Sequence, residues 1–269
     1  MNILINYAHG RFYESQKNNA KTGLEVGGFD EVRTYNFDDI DKSFMRKNWH
    51  ILGHKTGAGY WMWKSYFILK TLNECSEGDV VCYSDSGASF IDSAKPLIDI
   101  CQENDILPFY LIDPDKPSFE SSNDPRGKIL WEREQTKRDV FYYMNCDDMD
   151  DVRVQQVHEA RPRCGSPQFY RKCDFTMQFV NEYMRYCEDY RLITDAPNTC
   201  GFDDYPENKV YRRDQSIFSV FTKMLGIKAY QDPAYPSFSQ LPDTGKFYSN
   251  EMPSEILYHQ IIDPHRKSQ

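Results

Sequence analysis

The sequence lacks the features that would place the chain in or across a membrane. It contains no apolar run of about 18 residues, the length that a spanning helix needs. The opening segment, Met1–Tyr7, has neither a basic start nor an apolar stretch long enough for a signal peptide. No Asn-x-Ser/Thr acceptor for glycosylation is present. These absences favour a cytoplasmic protein with no membrane span.

Paired cysteine motifs and the common nucleotide-binding loops are also missing. The eight cysteines are scattered and none forms a Cys-x-x-Cys pair, which favours reduced, mostly buried thiols over disulfides or zinc. The sequence has no Gly-x-x-x-x-Gly-Lys-Ser/Thr, no Gly-x-Gly-x-x-Gly and no Gly-x-Ser-x-Gly. P-loop, dinucleotide-binding and α/β-hydrolase functions are therefore disfavoured.

A basic face is lacking, whereas aromatic residues are abundant. The formal net charge is −9, and the 32 Lys and Arg residues do not gather into a block, which disfavours a nucleic-acid partner. An anionic ligand would have to be held by a few cations and a metal. Aromatic residues make up 15% of the 269 residues. That content suits a surface that handles sugars, and it suits equally well a tyrosine-rich core.

The first half of the chain alternates strand and helix patterns. Short apolar runs predict the strands Ile3–Tyr7, Glu31–Tyr35, Asp79–Tyr83 and Ile106–Ile112. Helix patterns over 14–24, Trp61–Leu72 and Asp92–Cys101 lie between them. This alternation predicts an α/β fold with a mostly parallel central sheet flanked by helices.

The second half is predicted to be less regular. Its patterns indicate helices over Trp131–Met144, Asp174–Cys187 and Asp214–Leu225, and a strand over Val152–His158. Residues 113–126 hold three prolines and are predicted to form a functional or mobile loop. No internal repeat and no linker divides the chain, so we expect one domain over 1–269 with an irregular C-terminal part.

A carboxylate and a cation mark a candidate binding site. The buried strand that ends at Tyr83 is followed by Asp85, Ser86 and Gly87. Open α/β sheets bind ligands beyond the carboxyl ends of their strands, so Asp85 would meet a phosphate-bearing ligand or its metal. Lys64, at the end of the Gly- and Trp-rich segment Gly57–Lys64, could pair with a diphosphate. The alternative for Lys64 is a solvated helix face.

Three motifs together resemble those of GT-A-type glycosyltransferases. They are Gly-Tyr-Trp-x-Trp-Lys at 59–64, Gly-Asp-x-x-x-Tyr-x-Asp-x-Gly at 78–87, and Arg-Asp-Gln-Ser at 213–216. The resemblance spans Ile3 to about His259 and is strongest to a small group of such enzymes found in bacteria and large DNA viruses. It implies a GT-A-like fold and sugar transfer from a nucleotide-diphospho-sugar, with a UDP-sugar as the favoured donor, to a glycan or other hydroxyl acceptor.

The resemblance also implies a division of labour along the chain. Residues 1–112 would form the half that binds the nucleotide-sugar, and 113–269 the acceptor side with the C-terminal tail. The donor cleft would contain Tyr7, Trp63, Lys64, Asp85 and Ser86.

A divalent metal, Mn²⁺ or Mg²⁺, is implied as well. GT-A enzymes hold it on the diphosphate with an Asp-x-Asp pair, but here Gly87 replaces the second aspartate. We therefore expect few protein ligands, Asp85 and the late His259. The alternatives are that Asp85 bonds the ribose and that His259 is structural.

Asp214 is the candidate catalytic residue. The resemblance places it beside the donor sugar, with Arg213 and Gln215 as further sugar or diphosphate contacts. In an inverting enzyme it could deprotonate the acceptor hydroxyl, and in a retaining one it would position the sugar. From the sequence alone it is equally a helix N-cap.

Two other functions stay open on these residues. Carboxylates and aromatic residues also suit a glycoside hydrolase. The missing second aspartate leaves an inactive, transferase-like module that only binds carbohydrate.

Overall fold

The computed structural model describes residues 1–111, 131–234 and 258–264. The predicted loop over 113–126 and most of the predicted extended tail lie outside these ranges. Within them, no helix combines the length and the apolarity needed to cross a bilayer.

The strands form one main sheet and one small ribbon. They are β1 (Asn2–Tyr7), β2 (Glu31–Tyr35), β3 (Val80–Tyr83), β4 (Ser89–Phe90), β5 (Ile106–Leu107), β6 (Gln168–Arg171) and β7 (Ile262–Asp263). The main sheet has the order β2-β1-β3-β6-β5, and β4 pairs with β7. Strand β1 is parallel to β2 and β3, whereas β6 is antiparallel to both of its neighbours. Four of the five strands therefore run the same way, which confirms the mostly parallel sheet.

Helices pack on both faces of this sheet. They are α1 (Tyr13–Thr22), α2 (Lys42–Lys47), α3 (Trp49–Leu52), α4 (Gly57–Tyr60), α5 (Met62–Glu74), α6 (Lys95–Asn104), α7 (Glu132–Gln135), α8 (Arg138–Tyr143), α9 (Val152–Glu159), α10 (Asp174–Cys187), α11 (Tyr190–Ile193) and α12 (Asp214–Met224). Short 3₁₀ turns cover Gly10–Phe12 and Phe37–Asp39, and a π-turn covers Gly23–Gly27.

Alternating side chains of the strands supply two separate cores. Ile3, Ile5 and Val81 face the core that α5, α10 and α12 complete. Leu4 and Cys82 face the opposite core, where α6 packs. This alternation is the period-two pattern of a strand buried on both faces. Strands β1–β3 come from the first predicted half and β6 from the second, so both halves share one sheet.

Several predicted elements are confirmed, among them β1, β2, β3 and the amphipathic helix α10, whose predicted bounds match. The predicted strand over Val152–His158 is wrong, because this segment is helix α9. Asp151 caps the helix by accepting a hydrogen bond from the Arg153 backbone N–H at 2.8 Å. Capping satisfies a free N–H group at a helix start, and this interaction outweighs the apparent alternation of valines.

Two further predictions are correct in place but not in extent. The strand predicted from Ile106 ends at Leu107, because Pro108 has no N–H to donate to the ladder. The helix predicted over Trp131–Met144 is divided into α7 and α8, with extended backbone at Thr136 and Lys137. Strand β6 was not predicted at all, since four residues after a proline give too short a pattern.

Candidate active site

A cleft of about 710 Å³ opens at the carboxyl ends of β1 and β3. Its walls come from the end of β1 with the turn after it, the segment 55–64, the residues after β3, the turn 164–167, and residues 212–215. Eight of the nine predicted site residues line this cleft: Tyr7, Trp63, Lys64, Asp85, Ser86, Arg213, Asp214 and Gln215. The structure thus brings together residues that are up to about 200 positions apart in the sequence.

A buried ion pair forms part of the cleft wall. Lys64 Nζ lies 2.5 Å from Asp214 Oδ2, and the two side chains are only 4% and 5% exposed. Lys64 also donates a hydrogen bond to the Gly165 carbonyl at 3.0 Å. The prediction that Asp214 is an N-cap is wrong, because Arg213 holds the N-cap position and Asp214 is the first residue of α12. The carboxylate of Asp214 is engaged by an ammonium group instead.

The charges of this cluster shift its pKa values. Burial opposes the charged form of Lys64, but the negative charges of Asp214 and Asp85 outweigh burial and raise the Lys64 pKa above its ordinary value. Burial raises the pKa of Asp214, and the ammonium group of Lys64 opposes this rise. Two carboxylates thus share one buried cation, and Lys64 stays protonated.

Asp85 follows β3 and is exposed in the cleft. Its Oδ1 accepts a hydrogen bond from the Tyr83 hydroxyl at 2.6 Å. Its backbone N–H donates to Ser166 Oγ at 2.8 Å, so the turn at 164–167 fixes the backbone at Asp85. The carboxylate is therefore oriented from within the protein while it remains accessible from the cleft.

The residues present fit a metal held by a single carboxylate. In the described parts of the chain, no three His, Cys, Asp or Glu side chains form a metal-binding group. Asp85 supplies one hard oxygen ligand, and Mg²⁺ is commonly held by one or two carboxylates together with substrate phosphates. His259 is exposed and does not line the cleft, so its placement lends no support to a role as the second ligand.

A left-handed turn forms the entrance to helix α5. Five successive residues, 57 to 61, have positive φ angles between 51° and 98°, and three of them are not glycine. A Cβ atom at Gly57 would lie 2.3 Å from the Trp61 ring, and one at Gly59 would lie 2.7 Å from the Leu52 backbone. Each non-glycine residue in this conformation costs roughly 1–2 kcal/mol. Such strain is concentrated here beside the cleft, as it often is at functional sites.

Stacked rings form the apolar part of the cleft. Tyr7 and Trp63 are nearly parallel at 18°, with ring centroids 3.8 Å apart. Trp63 Nε1 donates a hydrogen bond to the Gly57 carbonyl at 2.9 Å, which ties the ring to the left-handed turn. The Tyr7 hydroxyl is buried without a hydrogen-bond partner among the described residues. Burial also raises the pKa of Tyr7.

Arg213 and Gln215 flank the buried aspartate. Arg213 forms an ion pair with Asp195 at 2.9 Å, and its guanidinium carbon lies 5.5 Å from the Trp61 ring. Its φ of 55° is a strained value for arginine. Gln215 packs against Gly165, because a Cβ atom added at Gly165 would lie 3.2 Å from the Cβ of Gln215. Its Nε2 is buried with no partner in the described ranges.

Sequence reasoning missed three residues that organise the site. Tyr83 orients Asp85, the Gly165 carbonyl accepts from Lys64, and Ser166 fixes the backbone of Asp85. No predicted site residue lies between Ser86 and Arg213, so the segment around Gly165 was not expected at the site. No sequence signal connects it to β3 or α5, because these contacts depend on the unpredicted strand β6.

The solved structures that are similar to this chain include two glycosyltransferases. One is the galactosyltransferase LgtC in complex with donor and acceptor sugar analogs, with a TM-score of 0.48, 11% identity, and coverage of 98% of this chain and 86% of that chain. The other is mouse xyloside xylosyltransferase 1 in its apo form, with a TM-score of 0.46, 7% identity, and coverage of 97% and 96%. No protein-family model and no curated protein matches the chain.

Proposed function

We propose that this chain transfers a sugar from a nucleotide-diphospho-sugar, with a UDP-sugar as the favoured donor, to a glycan or other hydroxyl acceptor. The observation that carries the proposal is the meeting of Asp85, Lys64 and Asp214 in one cleft at the carboxyl ends of parallel strands. The cleft volume lies within the roughly 300–1,000 Å³ typical of small-molecule sites.

The donor fits the chemistry of the cleft from end to end. The stacked Tyr7 and Trp63 rings, each about 5% exposed, line the cleft and give it an apolar wall for a nucleoside. Asp85, exposed where β3 ends, suits the ribose or a metal on the diphosphate. When bound, a divalent metal held by Asp85 would neutralise charge on the leaving diphosphate. Arg213 also lines the cleft, and its guanidinium, which is paired with Asp195, offers the donor a further hydrogen-bonding contact.

The buried pair has a defined task in this scheme. Asp214 accepts a hydrogen bond from a sugar hydroxyl, or takes the proton of the acceptor hydroxyl if the reaction inverts configuration. Lys64 opposes the effect of burial on the Asp214 pKa and so favours the ionised carboxylate. Gln215 brings a buried amide nitrogen with no partner in the described chain, which could bind a further sugar hydroxyl.

The first test is a thermal-shift and turnover screen with UDP-, GDP- and other nucleotide sugars. We expect at least one UDP-sugar to raise the melting temperature of the parent protein. Asp85→Ala should abolish transfer with nearly unchanged stability, because the side chain is exposed. Asp203→Ala, an exposed carboxylate outside the cleft, is the matched control. Unaltered turnover in Asp85→Ala would refute the assignment.

A glycoside hydrolase is the second candidate, because two carboxylates, Asp85 and Asp214, line the same cleft. Such an enzyme needs one carboxyl group as a proton donor, and Asp214 is instead paired with an ammonium group at 2.5 Å. Calorimetric titration with UDP separates the two functions. A hydrolase would not bind the nucleotide, and a module that only binds carbohydrate would show no turnover with any donor.

A further inference from the structure

A series of rings, exposed at its outer end, leads away from the mouth of the cleft. Its members are His50, His54, Tyr60, Trp61 and Tyr190, which we call the aromatic rim. His54 lies 5.1 Å from the Tyr60 ring and 6.2 Å from the Tyr190 ring, and His50 lies 6.1 Å from Tyr190 on the other side. These contacts join four of the rings, drawn from two separate parts of the chain, and Trp61 follows Tyr60 in the sequence.

The rim is continuous with the cleft. Trp61 itself lines the cleft, as do Lys55 and Ala58, which lie between His54 and Tyr60 in the sequence. The guanidinium carbon of Arg213 lies 5.5 Å from the Trp61 ring and 6.0 Å from the Tyr60 ring. Because Arg213 directly precedes Asp214 in the chain, it connects the inner end of the rim with the buried ion pair. An oligomeric ligand with one end beside Asp214 would therefore leave the cleft over these rings.

The outer part of the rim is exposed, whereas Tyr60 is only 7% exposed and Trp61 is half-buried. Tyr190 is 39% exposed, and both histidines are exposed. Three pairs of charged groups in the surrounding segments compensate one another: Lys47 with Glu188, Arg191 with Asp189, and Arg213 with Asp195. Lys55 is exposed and has no ion pair among the described residues, and it lines the cleft. A single lysine at the cleft end does not make a basic face, and the net charge of −9 argues against nucleic acid or an acidic peptide.

The chemistry of the rim suits sugars better than protein. Sugar rings present C–H faces that pack on aromatic rings and hydroxyl groups that bond to polar edges. The imidazole groups and the Tyr190 hydroxyl offer such polar edges between ring faces. A docking surface for protein would instead be expected to have a contiguous apolar core with a polar border.

We propose that the aromatic rim binds a neutral oligosaccharide acceptor, whose outer sugars lie on the rings while its reacting hydroxyl enters the cleft. This inference rests on the proposed function and adds the class of acceptor to it. It requires that an acceptor of several units binds more tightly than a single sugar.

Saturation-transfer NMR with neutral glycans of one to three units tests the inference directly. The probes are the glucose, galactose, mannose and N-acetylglucosamine series, each measured with UDP present. We expect at least one series to bind about tenfold more tightly at three units than at one, the gain that one or two added ring contacts supply. Tyr190→Ala should remove this gain, and Tyr190→Phe should keep most of it.

Phe175→Ala is the matched control, because Phe175 is 42% exposed and does not belong to the rim. Melting temperatures of all variants show whether a loss of binding reflects unfolding, and His54→Ala provides a second break in the rim. Equal affinity for all lengths, no binding of any glycan, or an unaffected Tyr190→Ala protein would each overturn the inference. UDP-sugar binding in the same samples reports separately on the proposed function, because it does not need the rim.

Discussion

Two buried lysine–carboxylate pairs, Lys64–Asp214 and Lys223–Glu132, have the same chemistry in different surroundings. In the second pair, Glu132 is fully buried and also accepts hydrogen bonds from the hydroxyls of Thr136 and Ser219. Its carboxylate thus has three donors from the protein interior. Lys64 and Asp214 are buried to nearly the same degree, but they line the cleft and share their charges with Asp85.

The difference indicates which pair is structural and which is functional. A buried charge is tolerated when hydrogen bonds satisfy its remaining oxygen atoms, as the hydroxyls do for Glu132. The pair in the cleft leaves the balance of charge incomplete, with two carboxylates to one ammonium group. Groups with perturbed pKa values in a cleft are candidates for function, whereas a satisfied interior pair is a candidate for stability.

The largest expected effect is on turnover at the cleft pair. Asp214→Asn keeps the shape of the side chain but removes its charge, so we expect turnover to fall by a factor on the order of 10² or more. Because Lys64 then loses its nearest counter-charge, the melting temperature should also fall. Kinetics measured well below the melting temperature, beside Asp203→Asn as a control, separate the two effects. Full turnover would reduce Asp214 to a structural partner of Lys64.

The next largest effect is on stability at the interior pair. Glu132→Gln removes the buried carboxylate charge that is paired with Lys223, and breaking a buried pair in this way costs about 3–5 kcal/mol. Denaturant unfolding measures this loss of unfolding free energy. Turnover per folded molecule should stay at the parent level, because Glu132 does not line the cleft. A variant that is stable but inactive would reverse the proposed roles of the two pairs.

The two pairs also show what the sequence can predict. Strands β1–β3 and helix α10 follow from apolar periodicity, and motif resemblance selects Lys64, Asp85 and Asp214. The contact between Lys64 and Asp214 cannot be read from the sequence, because it spans 150 positions. For the same reason the sequence does not distinguish a helix cap from an ion pair at Asp214. Glu132 gives no signal at all, since its three partners come together only in the folded chain.

A smaller effect is expected from the turn that leads to Lys64. Gly57→Ala would place a Cβ 2.3 Å from the Trp61 ring at a φ of 54°. We expect a loss of about 1–3 kcal/mol in unfolding free energy together with weaker donor binding, since the turn also holds Trp63. Gly78→Ala is the control, because it has a φ of 84° but open space around it. If both variants bind the donor equally well, the turn does not shape the cleft.

The smallest effect is a pH dependence beside the interior pair. Burial lowers the pKa of His158 below 6.5, and the charge of Glu132 acts in the opposite direction. The folded protein therefore holds His158 neutral, while the unfolded chain takes up a proton as the pH falls through about 6.5. The contribution of His158 is fully present above that pH and is lost as the pH falls towards the lowered pKa.

We expect this loss to reach at most about 1.4 kcal/mol per pH unit, the limit for one titrating group. Unfolding free energies measured from pH 7.5 to 5 should show the slope in the parent protein. His158→Phe should flatten this slope, because the titrating group is gone. The new ring can still pack on Phe141, whose ring centroid lies 3.8 Å from that of His158. Removing the Glu132 charge should steepen the slope by lowering the His158 pKa further, whereas Asp214→Asn should leave the His158 contribution unchanged. An equal change of the pH slope in Glu132→Gln and in Asp214→Asn would show that the two ion pairs are not electrostatically separate.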